Sequence, residues 1–347
     1  MENKRITITE LAKILSVSTS TISRGLKDHH SIGEGTRDKI KKTALELGYI
    51  PNSVASNLRR RKTNQIGVII PRIDRYFHSS SISGIEEVAN EAGYYVSIFQ
   101  TKDSYIKEVE SVKILMSNKA DGIIACLALE TTNIDHYKQL SNLKIPLVLF
   151  DRVSNNLESS KVLINDYDAA FKACDHLVKI GCKKIAHIAG NLNSLIFKSR
   201  LEGYKAALIK NNLKIDENLI FYGNILSEEE GQQFANELLS MNTKPDGVFC
   251  ANDLTAISVI QTAKDRKISV PNDIAVVGFS NTPISKIIQP ALTTIEDHAF
   301  ELGQASARLL IKQIENKDQN NDQNIVSETI IIRNELIIRE STVPVAS

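Results

Sequence analysis

The stretch VSTSTISRGL, residues 17 to 26, carries five short hydroxyl side chains (Ser18, Thr19, Ser20, Thr21 and Ser23) and one long cation, Arg24. Such hydroxyls compete with the backbone for hydrogen bonds and are poor helix formers. Yet Val17, Ile22 and Leu26 are spaced to share one apolar face of a short helix. The chemistry open to this surface is nucleic-acid reading. Small hydroxyls approach phosphates and base edges without crowding, and a guanidinium one turn beyond Ser20 can fork onto guanine O6 and N7. A solvated amphipathic helix with an accidental arginine would use the same residues, so the flanking elements have to decide.

Residues 7 to 10, TITE, have the form of a capping box: the Thr7 hydroxyl takes the Glu10 N–H while Glu10 reaches back. Leu11, Ala12 and Leu15 then line one buried face of a first helix. Ser16 and Val17 break the pattern, and Ser18 is a natural N-cap for a second helix. The segment GTRDKIKKTALELGY predicts a third, longer helix with Ile40, Ala44 and Leu47 inward and Gly48 as its stop. Three short helices with a tight turn between the first two describe a helix-turn-helix, whose second helix presents its N-terminal residues to the major groove.

The overall formal charge of +1 divides unevenly. Residues 1–63 hold 13 Lys/Arg against 6 Asp/Glu, and the remainder holds 29 against 35. A small basic head on an acidic body fits a head that meets a polyanion, although a basic surface without a partner has the same balance. Cys126, Cys174, Cys182 and Cys250 form no close pair and have no clustered histidines, so buried free thiols in a reducing cytoplasm are expected, with no metal site and no cofactor. The N-terminal sequence has no signal-peptide pattern, and no apolar run approaches the roughly 18 residues of a membrane span.

From Ile66 the pattern changes to short apolar strands alternating with amphipathic helices. Ten strand candidates run from IGVIIP (66–71) to LTTIE (292–296), divided near Asp166. The alternation predicts mostly parallel, doubly wound sheets in two lobes. Ligands of such sheets sit beyond the strand C-termini.

The stretches TITELAKILSVSTSTISRGLKD and TRDKIKKTALELGYIPNSVASNLRRRKTNQIGVIIP, with the ELGYIPN junction between head and body, are similar to the lactose- and galactose-repressor (LacI/GalR) family of bacterial transcription regulators. The resemblance covers essentially the whole chain. It implies a helix-turn-helix head over residues 1–51, a hinge helix over 52–63 and an effector-binding, dimerising body of the periplasmic-binding-protein type over 64–347. The chain of such a body crosses between lobes near residues 163, 294 and 327. Lobe 1 then takes about 64–163 and 295–327, and lobe 2 about 164–294 and 328–341.

The resemblance also implies roles. Thr19, Ser20 and Arg24 occupy base-reading positions, with Thr7, Ser18, Thr21 and Ser23 around them. Gly25 departs from the family's usual apolar residue, at roughly 1 kcal/mol of helix propensity. In the hinge, Leu58 matches a leucine that wedges into a minor-groove base step, Ala55 the small residue that lets two hinge helices approach, and Asn52 and Arg59 flank them. Leu58 packing onto the body as an ordinary linker leucine is the other reading.

For the effector cleft the resemblance points to Phe77, His78, Asp151, Arg200, Leu226, Asn252 and Ser280. Three of them have a plainer reading: a surface histidine at 78, an N-cap or an Arg152 salt bridge for Asp151, a helix-surface arginine at 200. Asp253 is assigned to capping the following helix. Ser280 stands where many members carry an aspartate, and Leu226 where an aromatic is frequent, so a pyranose-binding geometry does not transfer unchanged.

The expectation is therefore a cytoplasmic repressor, a homodimer on pseudo-palindromic double-stranded operator DNA. Its affinity is set by a small-molecule effector, a sugar or sugar derivative, and it is not an enzyme. A transport binding protein would need an export signal and no helix-turn-helix. A sugar enzyme would need a phosphate loop or a G-x-S-x-G or H-E-x-x-H constellation, and the sequence has none. The segment NELIIRESTVPVAS has no heptad pattern for an added bundle, which favours a dimer over a tetramer.

Overall fold

The computed structural model describes residues 6–49, 62–319 and 327–343. Asn52, Ala55, Leu58 and Arg59 lie outside the described residues. The chain divides into two compact units at Thr63/Asn64.

The first unit holds helices α1 (Ile8–Leu15), α2 (Thr19–Gly25) and α3 (Glu34–Glu46). The capping box forms: the Glu10 N–H donates to Thr7 Oγ1 at 3.2 Å, and the Thr7 N–H donates to Glu10 Oε2 at 2.8 Å. Ser16 ends α1 in the left-handed region, and Ser18 caps α2 by accepting from the Thr21 N–H at 3.1 Å. Leu11, Ala12, Ile22, Ile40 and Ala44 make the core, with Tyr49 packed against it. Leu47, expected inward, is instead exposed: α3 ends at Glu46, Gly48 turns the chain in the left-handed region, and Tyr49 packs against the core. Gly25 also acquires a reason. A Cβ on it would lie 2.6 Å from the Cδ1 of buried Ile40, so its absence lets α2 close against α3.

The second unit contains two six-stranded sheets. The first has the order β11-β5-β4-β3-β1-β2, built from β1 (Gln65–Ile70), β2 (Tyr95–Gln100), β3 (Gly122–Ala125), β4 (Leu147–Phe150), β5 (Ser160–Ile164) and β11 (Thr329–Ile332). All its pairings are parallel. The second has the order β12-β10-β9-β8-β6-β7, from β6 (Ile185–Ala189), β7 (Ile220–Tyr222), β8 (Gly247–Cys250), β9 (Ala275–Phe279), β10 (Thr293–Glu296) and β12 (Glu335–Ile337), the last antiparallel to β10. Near-continuous apolar runs such as QIGVII and AVVGF suit strands covered on both faces. Two apolar clusters flank each sheet.

Helices α4 (Tyr76–Glu91), α5 (Tyr105–Ser117), α6 (Asp135–Asn142) and α11 (Ala299–Gln319) belong with the first sheet. Helices α7 (Asp166–Lys179), α8 (Leu195–Lys210), α9 (Glu228–Leu239) and α10 (Asp253–Asp265) belong with the second. The chain crosses between lobes after Ile164, after Glu296 and after Ile332. The last two crossings differ from those expected: Ile295 and Glu296 stay in the second sheet, and Thr329–Ile332 completes the first by pairing with β5. Among the described residues all four cysteines are free and buried, and no helix is long and apolar enough to cross a membrane.

Candidate functional site

In the head, Thr19, Ser20 and Arg24 are exposed on α2, while Thr21 and Ser23 are half-buried. The Ser18 hydroxyl is engaged, 2.7 Å from Ser20 Oγ and 2.9 Å from Thr21 Oγ1. Arg24 is held loosely: its Nε donates to Ser20 O at 3.4 Å and Nη1 to Ser31 Oγ at 3.5 Å. The Thr7 hydroxyl donates to Glu10 Oε2 at 2.9 Å, so its first role is structural. The face thus offers a few short polar groups and one long, weakly committed guanidinium, a set able to enter a groove at little desolvation cost.

In the body, all seven residues expected at the effector site line one cleft, at the facing C-terminal ends of the two sheets. Phe77 and His78 enter from the first turn of α4, and Asp151 follows β4. Leu226 follows β7, Asn252 follows β8, Ser280 follows β9, and Arg200 reaches in from α8. Arg75 Nη2 donates across the cleft to Ile225 O at 3.4 Å.

The lining is unusually ionic for a buried space. His78 is 4 % exposed, and its Nδ1 lies 2.8 Å from Arg72 O. Burial pushes its pKa down to about 3, so it is a neutral imidazole and not a surface group. Donating from Nδ1 leaves Nε2 as an acceptor. Asp151 neither caps a helix nor pairs with Arg152. It accepts from the Cys126 thiol at 3.4 Å, and burial raises its pKa. Arg152 turns away to Asp103, 2.5 Å from Nη1. His78, Cys126 and Asp151 offer one nitrogen, sulfur and oxygen atom all within 4.8 Å of one another, the donor set a soft divalent metal would use. Burial holds the Cys126 thiol protonated and so works against that use.

Arg200 is not a helix-surface arginine. Its Nε donates to Asp166 Oδ1 and its Nη1 to Ala251 O, each at 2.7 Å, and its guanidinium lies 3.4 Å from the Phe279 ring centroid. Gly203 makes this possible. A Cβ there would sit 2.3 Å from Tyr167 O, so only a bare Cα lets α8 press on α7 and bring Arg200 to the Asp166 carboxylate. Burial pushes Asp166 up to about 6 even with the guanidinium on it.

Two neighbours exchange their expected roles. Asn252 is the cap of α10: its Oδ1 accepts from the Thr255 N–H at 2.8 Å and its Nδ2 donates to Leu226 O at 3.0 Å. Asp253, assigned to capping, instead accepts from the N–H of Thr282 at 2.7 Å and from the hydroxyls of Thr282 (2.9 Å) and Thr294 (2.5 Å). Burial pushes it up to about 6.

The structure also adds a carboxyl that the sequence did not flag. Asp297, just beyond β10, is 2 % exposed and lines the same cleft as Ser280; burial lifts it well above the usual carboxylate range, against the pull of the nearby Ser280 hydroxyl. The aspartate missing at 280 is thus answered from another strand end. Its position directly after a parallel strand was the available signal. Arg72, Arg75, Arg152 and Phe279 are further lining residues not anticipated.

A helix-turn-helix head joined to a two-lobed, ligand-cleft body is the architecture of an effector-responsive DNA-binding regulator. Residues 7–52 match the lacI family of bacterial regulatory proteins, and residues 174–342 the periplasmic binding protein-like domain. Catabolite control protein A of Priestia megaterium is 31% identical over 338 residues, covering 97% of this chain and 99% of that protein. The HTH-type transcriptional repressor CytR of Escherichia coli K12 is 31% identical over 336 residues, covering 97% and 96%. The chain belongs to the LacI family and is a DNA-binding transcription regulator. Its fold matches that of a lac repressor dimer bound to operator and the anti-inducer ONPF (TM-score 0.85, 24% identity, 98% and 99% coverage). It also matches a cellobiose complex of the regulator CelR (TM-score 0.73, 24% identity, 97% and 100% coverage).

Proposed function

We propose that this chain is a repressor that binds a pseudo-palindromic operator as a homodimer, and that a sugar or sugar derivative held between the lobes changes its operator affinity. The observation that carries the effector reading is the convergence of Phe77, His78, Asp151, Arg200 and Asp297 at the facing strand ends. Carboxylates and guanidinium groups take the hydroxyls of a polyol in pairs, and an aromatic face takes its C–H surface. The cleft's free volume is about 140 Å³, which suits a molecule of one ring. Asn252, Leu226 and Ser280 act in this reading through placement: the first two fix the wall, and Ser280 adds a short hydroxyl beside Asp297.

In the head, Arg24 reads a guanine while Thr19 and Ser20 meet base edges or phosphate, with Ser18, Thr21, Ser23 and Thr7 holding the helix in register. A second copy has a face to cover: edge strand β2 exposes Tyr95 and Ile98, and neighbouring α5 exposes Ile106. Effector and operator then influence each other's binding reciprocally.

The test combines operator binding by fluorescence anisotropy with a panel of neutral and derivatised hexoses and pentoses. At least one should shift operator affinity fivefold or more, within the usual range of allosteric coupling. A panel that binds nowhere in the cleft removes the sugar from the proposal.

A further inference from the structure

Beside the cleft lies a second chamber of about 450 Å³, formed by the loops after β3 and β4 and by the first turn of α8. Four aspartates line the main cleft, but none of the fifteen residues lining this chamber is Asp or Glu. Its polar groups are Arg152, Lys198, Asn155, Asn156, Asn193 and Ser194, with two threonines and a further serine.

Two groups there have hydrogen-bonding capacity left over. Ser194, the N-cap of the sixteen-residue α8, is 8 % exposed, makes no side-chain cap hydrogen bond, and its hydroxyl has no partner among the described residues. Arg152 gives Nη1 to Asp103, but its buried Nε–H has no acceptor among them either. The free N–H groups of the first turn of a helix favour an anion, and a buried donor without an acceptor costs free energy until one arrives. Lys198, exposed one turn into α8, adds a positive charge that no carboxylate of the chamber offsets.

Arg152 lines both spaces, and Leu195 of the chamber adjoins Ile196 and Phe197 of the cleft. We propose that the chamber is an anion subsite and that the effector is a phosphorylated sugar: its ring occupies the cleft and its phosphate passes Arg152 to meet the Ser194 hydroxyl, the α8 N-terminus and Lys198. This rests on the sugar reading of the cleft. A phosphate ester matches the donor set because its oxygens only accept when fully ionised, and the chamber's two charged side chains, Arg152 and Lys198, only donate. Free inorganic phosphate carries the same chemistry, so the two sources are tested separately.

The full chain is titrated by calorimetry at constant ionic strength with neutral hexoses, with the corresponding hexose 6-phosphates and with inorganic phosphate. Wild type, Lys198→Glu and Ser194→Ala are compared. In wild type a hexose phosphate should bind at least tenfold more tightly than its parent hexose. Lys198→Glu, an exposed change, should remove that advantage and leave affinity for the neutral hexose as it was. Ser194→Ala should reduce the advantage severalfold. A phosphate ester no tighter than its parent hexose, or an advantage untouched by Lys198→Glu, overturns the subsite while leaving the sugar reading in place. If inorganic phosphate binds, is lost in Lys198→Glu, and neither sugar form adds to it, the chamber stands as a phosphate site and the sugar reading falls. Absence of binding by phosphate and phosphate esters alike overturns the inference.

Discussion

Arg24 in the head and Arg200 in the body are the same side chain set to opposite uses. Arg24 is exposed, with two hydrogen bonds of 3.4 and 3.5 Å and no carboxylate partner among the described residues. Arg200 is buried, with two bonds of 2.7 Å, an acidic partner and an aromatic ring beneath it. On the proposed function, a guanidinium that is to meet DNA is left uncommitted so that binding displaces little. One that is to shape a ligand cleft is fixed in advance, its desolvation borne whether or not ligand is present. The head therefore keeps its chemistry apart from its stability, whereas in the cleft the two are coupled.

The strongest way to break this contrast is Arg200→Ala. Removing one partner of a buried pair leaves Asp166 uncompensated and should cost about 3–5 kcal/mol in urea unfolding of the body. A loss below about 1 kcal/mol would show Arg200 to be free for ligand alone, like Arg24 for DNA.

Next comes pH. Asp253 has a folded pKa of about 6 against 3.8 for an ordinary aspartate, a shift caused by burial. A raised pKa means that its contribution to stability is intact below about pH 4 and is lost as pH rises through 6. Relative to Asp253→Asn, the wild type should lose up to about 3 kcal/mol between pH 4 and 7. Parallel pH–stability curves for the two proteins would contradict this.

Arg24→Ala should instead leave the melting temperature alone, as exposed substitutions do, and cost about 1–3 kcal/mol on cognate operator while relaxing one base pair. Anisotropy on cognate and scrambled duplexes distinguishes that from a mere phosphate contact, which would weaken both equally. The smallest effect is expected of Thr7→Ala, about 1 kcal/mol of head stability through the lost capping box. Thermal unfolding of the head should register it, and a loss of base discrimination at unchanged head stability would mean that Thr7 touches DNA.

The legible parts of the fold were those written locally. Capping residues, the apolar spacing of α1 and α2, and ten apolar strand runs need only neighbouring residues to be read. The strands β11 and β12 escaped because TIII and ELI are short, partly exposed edges with no amphipathic helix to announce them. At the cleft, the strand-end rule and the family register brought seven residues to one place. What they did not give was who pairs with whom. Arg152 meets Asp103 across 49 positions, and Asp253 meets Thr294 across 41. Asn252 and Asp253 look interchangeable as caps on paper, and only the depth of each carboxamide or carboxylate in the packed body separates them.

The two missed strands have a consequence for the order of assembly. Within nine residues, Thr329 to Ile337, the chain supplies one outer strand to each sheet. A ribosome delivering this protein from its N-terminus therefore holds both lobes one strand short until the same segment emerges, and neither lobe can mature ahead of the other. The head, complete by residue 49, has no such wait. Nascent chains halted before Thr329 should carry a folded reading head on a body whose two halves are both still open at an edge, which is the stage at which a chaperone has most to shield.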